Sequence, residues 1–181
     1  MKNFISFFKV FVKKPKEVSA WFPTSRKVAE KVANLVPKTS TNIIEYGPGP
    51  GTVARAILSR VGIHAKFTAI EILPDFVKEL RKIKDSRLEI IDGDVIKISQ
   101  DFKKESADVV LSSIPLSHVP RAEREKLIET SYKVLKPGGR LIIYYQNSKL
   151  ILSLLEKFFD DVEWSFTLQN FTPYFIFVAK K

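Results

Sequence analysis

From Asn42 onward the chain alternates short apolar runs with longer segments of helical periodicity, and this alternation most narrows what it can fold into. Short runs rich in Ile, Val and Leu read as strands buried on both faces. Helices between successive strands make the crossovers that parallel pairing needs, so the pattern specifies an α/β fold with a mostly parallel sheet. Strands are expected over residues 42–46, 66–71, 88–91, 107–112 and 140–145, and helices near 52–59, 74–83 and 121–135. Lys136-Pro-Gly-Gly139 is expected to end the last of these helices and turn the chain into its strand. After a helix at 150–158, the runs 162–168 and 174–179 lie close enough to form a hairpin. A length of 181 residues suits one such domain with a full core.

The first strand runs straight into Gly47-Pro48-Gly49-Pro50-Gly51-Thr52 and then into a helix. Glycines reach torsions closed to other residues and let a ligand lie against the main chain, while a helix start presents N–H groups without intrahelical acceptors. The second strand ends at Glu71, where an acid at a C-terminal strand tip can accept both hydroxyls of a ribose. The third is followed by Asp92-Gly93-Asp94-Val95, which sets an acid and a main-chain N–H beside the same crevice, suited to the amino group and ring nitrogen of adenine.

This combination resembles the class I S-adenosylmethionine-dependent methyltransferases, over roughly residues 22–181. The resemblance implies a Rossmann-like, seven-stranded, mostly parallel sheet with an antiparallel last strand. It also implies that Glu45, Gly47, Gly49 and Gly51 surround the methionine part of S-adenosylmethionine, that Glu71 holds the ribose, and that Asp94 and Val95 bind adenine. Pro50 stands where a small residue or Thr is common in that family. Nicotinamide-dependent dehydrogenases share the glycine loop, but Asp94 and the closing hairpin fit them poorly. Within the class, Pro23-Thr-Ser-Arg26, Glu45-Tyr-Gly-Pro-Gly49, Gly93-Asp94, Ser113-Ile-Pro-Leu116 and Asn170-Phe-Thr-Pro173 look like the bacterial phospholipid N-methyltransferases, which methylate the amine of phosphatidylethanolamine toward phosphatidylcholine. That likeness adds Thr24, Ser25 and Ser112 to the cofactor side.

The chain has no cysteine and only two histidines, His64 and His118, so neither a disulfide framework nor a metal site is expected. Its formal net charge of +10 favours anionic partners. Much of the excess sits at the start, where Lys2, Lys9, Lys13, Lys14 and Lys16 occur without an acid. On a helical wheel Phe4, Ile5, Phe7, Phe8, Phe11 and Val12 share one arc, opposite Lys2, Lys9 and Lys13, so residues 1–20 read as a basic amphipathic helical arm ahead of a domain at 21–181. An arm of this kind suits an anionic phospholipid surface, with Phe side chains at the acyl boundary and lysines near the headgroups. No run approaches the roughly 18 apolar residues of a membrane span. The expected location is the cytoplasm, peripheral on the inner face of the membrane.

A lipid ammonium with a pKa of about 10 must lose a proton before it can attack a methyl group. Tyr46 and His118 stand near the crevice as candidate proton acceptors. Methylation leaves a permanent cation, which aromatic faces can hold, so Trp21, Phe22, Tyr144, Tyr145 and Tyr174 are candidate substrate contacts. Arg26 could pair with the lipid phosphate. The alternative substrate is adenine in RNA, methylated at N6, which would also explain the basic charge. Enzymes of that kind place Asn or Asp, Pro and an aromatic after the fourth strand, whereas Ser112-Ser113-Ile114-Pro115-Leu116 ends in a residue that cannot stack.

Overall fold

The computed structural model describes residues 24–116, 119–146, 151–170 and 174–181, with main chain only at Tyr145, Gln146 and Tyr174. The expected arm, Trp21, Phe22 and His118 lie outside the described residues.

Seven strands form one sheet: β1 (Asn42–Tyr46), β2 (Lys66–Glu71), β3 (Leu88–Asp92), β4 (Ala107–Ser112), β5 (Leu135–Gln146), β6 (Asp161–Thr167) and β7 (Tyr174–Lys180). Their order is β3-β2-β1-β4-β5-β7-β6. The pairs from β3 through β5 are parallel, and β7 runs antiparallel to both β5 and β6. The seven-stranded sheet and the closing hairpin are therefore as the sequence specifies. Strand order reverses between β1 and β4, which opens a crevice outside their carboxyl ends, the general ligand position in sheets of this type.

Each strand sends alternate side chains to two apolar layers. Ile43, Phe67, Val109, Leu111 and Ile142 meet Val28, Val32, Val53 and Ile57, which come from α1 (Arg26–Leu35) and α2 (Thr52–Leu58). On the other face Ile44, Val110, Leu141, Ile143 and Phe177 meet Leu127, Ile128 and Leu155. Those come from α5 (Arg121–Val134) and α6 (Leu152–Leu155), while α3 (Pro74–Leu80) and α4 (Val95–Ile98) connect strands nearer the crevice. Full burial of one such side chain is worth about 1.5–3 kcal/mol, so the two layers hold the sheet edge rigid beneath the site.

Three elements depart from expectation. The turn at 136–139 does not precede β5 but interrupts it: Leu135 pairs with Ala107, and pairing resumes only at Val109 with Arg140. The Lys-Pro-Gly-Gly segment loops out between these contacts, with Gly138 at φ +77°. The helix expected at 150–158 is a single turn, α6, and the four-residue α4 was not foreseen because its length is too small to show a helical period.

Candidate active site

The glycine loop leaves β1 and is tied down on three sides. Gly47 N–H donates to the Ile70 carbonyl at 2.9 Å, Gly51 N–H to the Pro48 carbonyl at 3.1 Å, and the Ser113 hydroxyl to the Gly47 carbonyl. Gly49 N–H reaches across to Oε2 of Glu71 at 2.9 Å. Two glycines here have different reasons to be glycine. Gly51, at φ +80°, would put a Cβ 2.8 Å from side-chain carbons of Leu80 and Ile83, so it lets α3 pack close. Gly49, at φ +57°, would put a Cβ where no atom lies within 4 Å, so its surface faces open space against which a ligand can rest.

Glu71 is buried, and both of its carboxylate oxygens accept main-chain N–H groups, Oε2 from Gly49 and Oε1 from Leu73 at 3.0 Å. Its own carbonyl accepts Gly93 N–H at 3.0 Å, so this one residue links the loops after β1, β2 and β3. Burial raises its carboxyl above the ordinary carboxylate range, against the pull of the Leu73, Gly49 and Ile72 N–H groups, and the neighbouring Asp92 adds to the rise.

Glu45 is fully buried beside the loop. Its Oε1 accepts the Tyr144 hydroxyl at 2.6 Å, and its Oε2 has no partner. Burial pushes this carboxyl up to about 7, against the Tyr144 hydrogen bond, which lowers it, with a smaller rise from Glu71. A buried carboxylate oxygen without a donor is costly, and a cation or N–H donor placed there would relieve it. The methionine ammonium of S-adenosylmethionine has that chemistry, so the residues present fit the group.

The expected site residues separate into those the fold brings together and those it does not. Glu45, Gly47, Gly49 and Glu71 converge. Asp94 caps α4, accepting Ile96 N–H at 2.9 Å, and Val95 begins that helix, where its N–H has no intrahelical acceptor. Ser112 is buried at the end of β4 and accepts Ile114 N–H at 3.3 Å, so it shapes the turn, while Ser113 makes the bond to the glycine loop. Ser113 was missed as a site residue because two adjacent serines at a strand end look alike in sequence.

Tyr46, expected as a proton acceptor, lies inside the fold. It is fully buried in the layer of Leu127 and Ile128, its phenol faces Ser131, and burial pushes its pKa well above the ordinary tyrosine value. Alternation along β1 requires this, since Glu45 and Tyr46 must point to opposite faces. Tyr144, expected as a substrate contact, likewise lies inside the fold: it is fully buried and its hydroxyl donates to Glu45. Ser25 caps α1 through Val28 N–H at 3.2 Å, donates its hydroxyl to the Gln169 carbonyl at 2.7 Å, and donates its N–H to Oδ1 of Asn170 at 2.8 Å. Its bonds go to the loop after β6, not to the glycine loop. Thr24 precedes it, half-buried. The Arg26 side chain is 91% exposed and pairs with Glu30 at 2.9 Å. Tyr174 opens β7 opposite Thr167.

Comparison with known proteins fits this geometry. The family described as a methyltransferase domain matches residues 43–139, from β1 through the loop inside β5. An ornithine lipid N-methyltransferase from Singulisphaera acidiphila is 26% identical over 179 residues, covering 96% of this chain and 93% of its own. A ubiquinone/menaquinone biosynthesis C-methyltransferase from a Ruegeria species is 28% identical over 131 residues, and this chain spans half of its length. Among solved structures, a phosphoethanolamine N-methyltransferase 2 of Haemonchus contortus in complex with S-adenosylmethionine superposes with a TM-score of 0.69 at 17% identity, covering 86% of this chain and 52% of that one.

Proposed function

The chain belongs to the methyltransferase-domain family and depends on S-adenosylmethionine, and from that premise we propose that it methylates the amine of phosphatidylethanolamine or its methylated forms at a membrane surface. The observation that carries the reading is the end-to-end likeness to a lipid N-methyltransferase, which extends into the segment before α1 and is not confined to the shared catalytic fold.

S-adenosylmethionine supplies an electrophilic methyl group on a sulfonium centre. The chain's own residues do the rest by positioning and by excluding water. Glu71 holds the ribose hydroxyls, Glu45 offers its unpaired oxygen to the methionine ammonium, the open face of Gly49 receives the cofactor against the main chain, and the turn of Asp94 and Val95 receives adenine. The attacking lipid amine must first lose its proton, and with Tyr46 buried, His118 is the proposed acceptor. Trp21 and Tyr174 are proposed to face the cationic headgroup. Arg26, exposed at the first turn of α1, is proposed to meet the lipid phosphate.

The basic arm at residues 1–20 is proposed to bring the enzyme to an anionic inner leaflet, where its substrate remains in the bilayer. Mass spectrometry of phosphatidylethanolamine vesicles incubated with protein and cofactor tests the reading. Headgroups heavier by whole methyl units are expected, and unchanged headgroups with a protein that binds cofactor would reject it.

A further inference from the structure

β6 is an edge strand, and its two faces differ, with exposed acids on one near its start and exposed apolar residues on the other toward its end. At its start Asp161 and Glu163 are exposed and pair with Lys180 at 2.6 and 2.9 Å. Toward its end Trp164, Phe166 and, just beyond, Leu168 are 43%, 48% and 71% exposed at alternate positions, hence on one face. Trp164 and Phe166 both pack edgewise or tilted on Phe175 of β7, with ring centroids 5.7 and 5.1 Å away, which fixes them as a ridge. An exposed apolar edge strand invites association, and chains that keep one generally have something to cover it.

Two placements say what covers it. Because β7 is antiparallel to both neighbours, β6 runs parallel to β1 and β4, so the apolar end of β6 lies at the same sheet edge as the crevice. Register puts Ser112, Ile143, Phe177 and Trp164 in one row, three strand spacings or about 14 Å from β4 to β6. In addition, Ser25, one residue after the start of the described chain, is bonded to Gln169 and Asn170, the two residues after Leu168, and the lysines at 2–16 precede it in sequence. Apolar ridge and crevice thus share one end of the sheet, with the exposed acids of β6 at the other end.

We propose that the ridge of Trp164, Phe166 and Leu168 is a membrane contact of this protein, entering the interface of an anionic bilayer beside the N-terminal segment and turning the crevice toward the headgroups. The inference rests on the lipid reading above. Trp favours the level of the headgroups and Phe and Leu the acyl boundary, the lysines match anionic lipid, and a crevice at the same edge lets a lipid amine be reached without extraction from the bilayer.

The chain has two tryptophans, Trp21 and Trp164, so the Trp21→Phe protein reports on Trp164 alone. With vesicles of phosphatidylethanolamine and phosphatidylglycerol carrying brominated acyl chains, Trp164 emission is expected to shift to the blue and be quenched. In otherwise native protein Leu168→Ser should lower vesicle affinity roughly tenfold, the effect of one apolar side chain leaving an interface. Its exposure leaves cofactor binding as the check on folding. If Trp164 is unquenched in Trp21→Phe while the wild-type protein sediments with vesicles and methylates lipid, the ridge is not a membrane contact although the lipid reading stands. If the wild-type protein neither sediments nor methylates lipid, both fail. A concentration-dependent blue shift without vesicles, and no quenching with them, assigns the ridge to a second copy of the chain and overturns the proposal.

Discussion

The main-chain N–H of Gly49 donates to Oε2 of Glu71 at 2.9 Å, so the tip of β2 holds the loop that follows β1. The residue that would bind the ribose therefore also shapes the surface against which the rest of the cofactor lies.

Glu71→Ala should weaken S-adenosylmethionine binding by roughly 1.5–3 kcal/mol, through loss of a charged acceptor and of the loop's anchor. Glu71→Gln should not restore it, because both oxygens already accept N–H groups and an amide offers only one acceptor. Calorimetric titration checks both, and wild-type affinity in either folded variant would remove Glu71 from the site.

Gly49→Val should abolish cofactor binding while leaving a folded domain, since its Cβ enters open space and the cost to the fold is the backbone conformation alone, about 1–2 kcal/mol. Gly51→Ala should act the other way, destabilising the domain through contact with Leu80 and Ile83. Thermal melting beside cofactor titration separates the two, and equal melting losses would contradict this division.

Glu45 gives a pH dependence of definite sign. Its carboxyl is raised from 4.5 to about 7 in the folded chain, so the folded state keeps a proton that the unfolded state has lost between those values. Its contribution is complete below pH 4.5 and is lost as pH rises to 7, by about 3 kcal/mol in all. Glu45→Gln should remove that slope from the cofactor-free protein's denaturation curves. Binding of S-adenosylmethionine, whose ammonium favours the ionised carboxylate, should release protons between pH 6 and 7. Calorimetry in buffers of different ionisation enthalpy measures this, and the same proton count in Glu45→Gln would refute the pairing.

Deletion of residues 2–16 should leave cofactor affinity nearly intact while greatly weakening sedimentation with anionic vesicles, because the crevice residues begin later and five lysines lie within the deleted piece. Raised salt should weaken the intact protein's preference for anionic over neutral vesicles, since the lysine attraction is screened. Normal sedimentation of the truncated protein would make the arm a packing element, and loss of cofactor binding would make it part of the site.

Much of this arrangement could be read before the fold was known. The limits of β1, β2 and β4 follow from short apolar runs that end at the glycine loop, at an acid and at a serine, and Glu71 is placed by its distance from the glycine loop. Side-chain direction was harder. Tyr46 could have been withdrawn on strand alternation alone once Glu45 was set at the crevice, whereas nothing local shows that Tyr144, two strands away, bonds Glu45 across 99 residues of sequence. The interruption of β5 was hidden because Lys-Pro-Gly-Gly reads equally well as a helix stop and as a looped segment within a strand.

The most direct test of the proposed function offers methyl-labelled S-adenosylmethionine with phosphatidylethanolamine vesicles and protein-free ribosomal RNA in the same assay, followed by solvent extraction. Label in the organic phase, absent with Gly49→Val, is the expected result; label confined to the RNA would contradict the lipid reading and put the adenine alternative in its place.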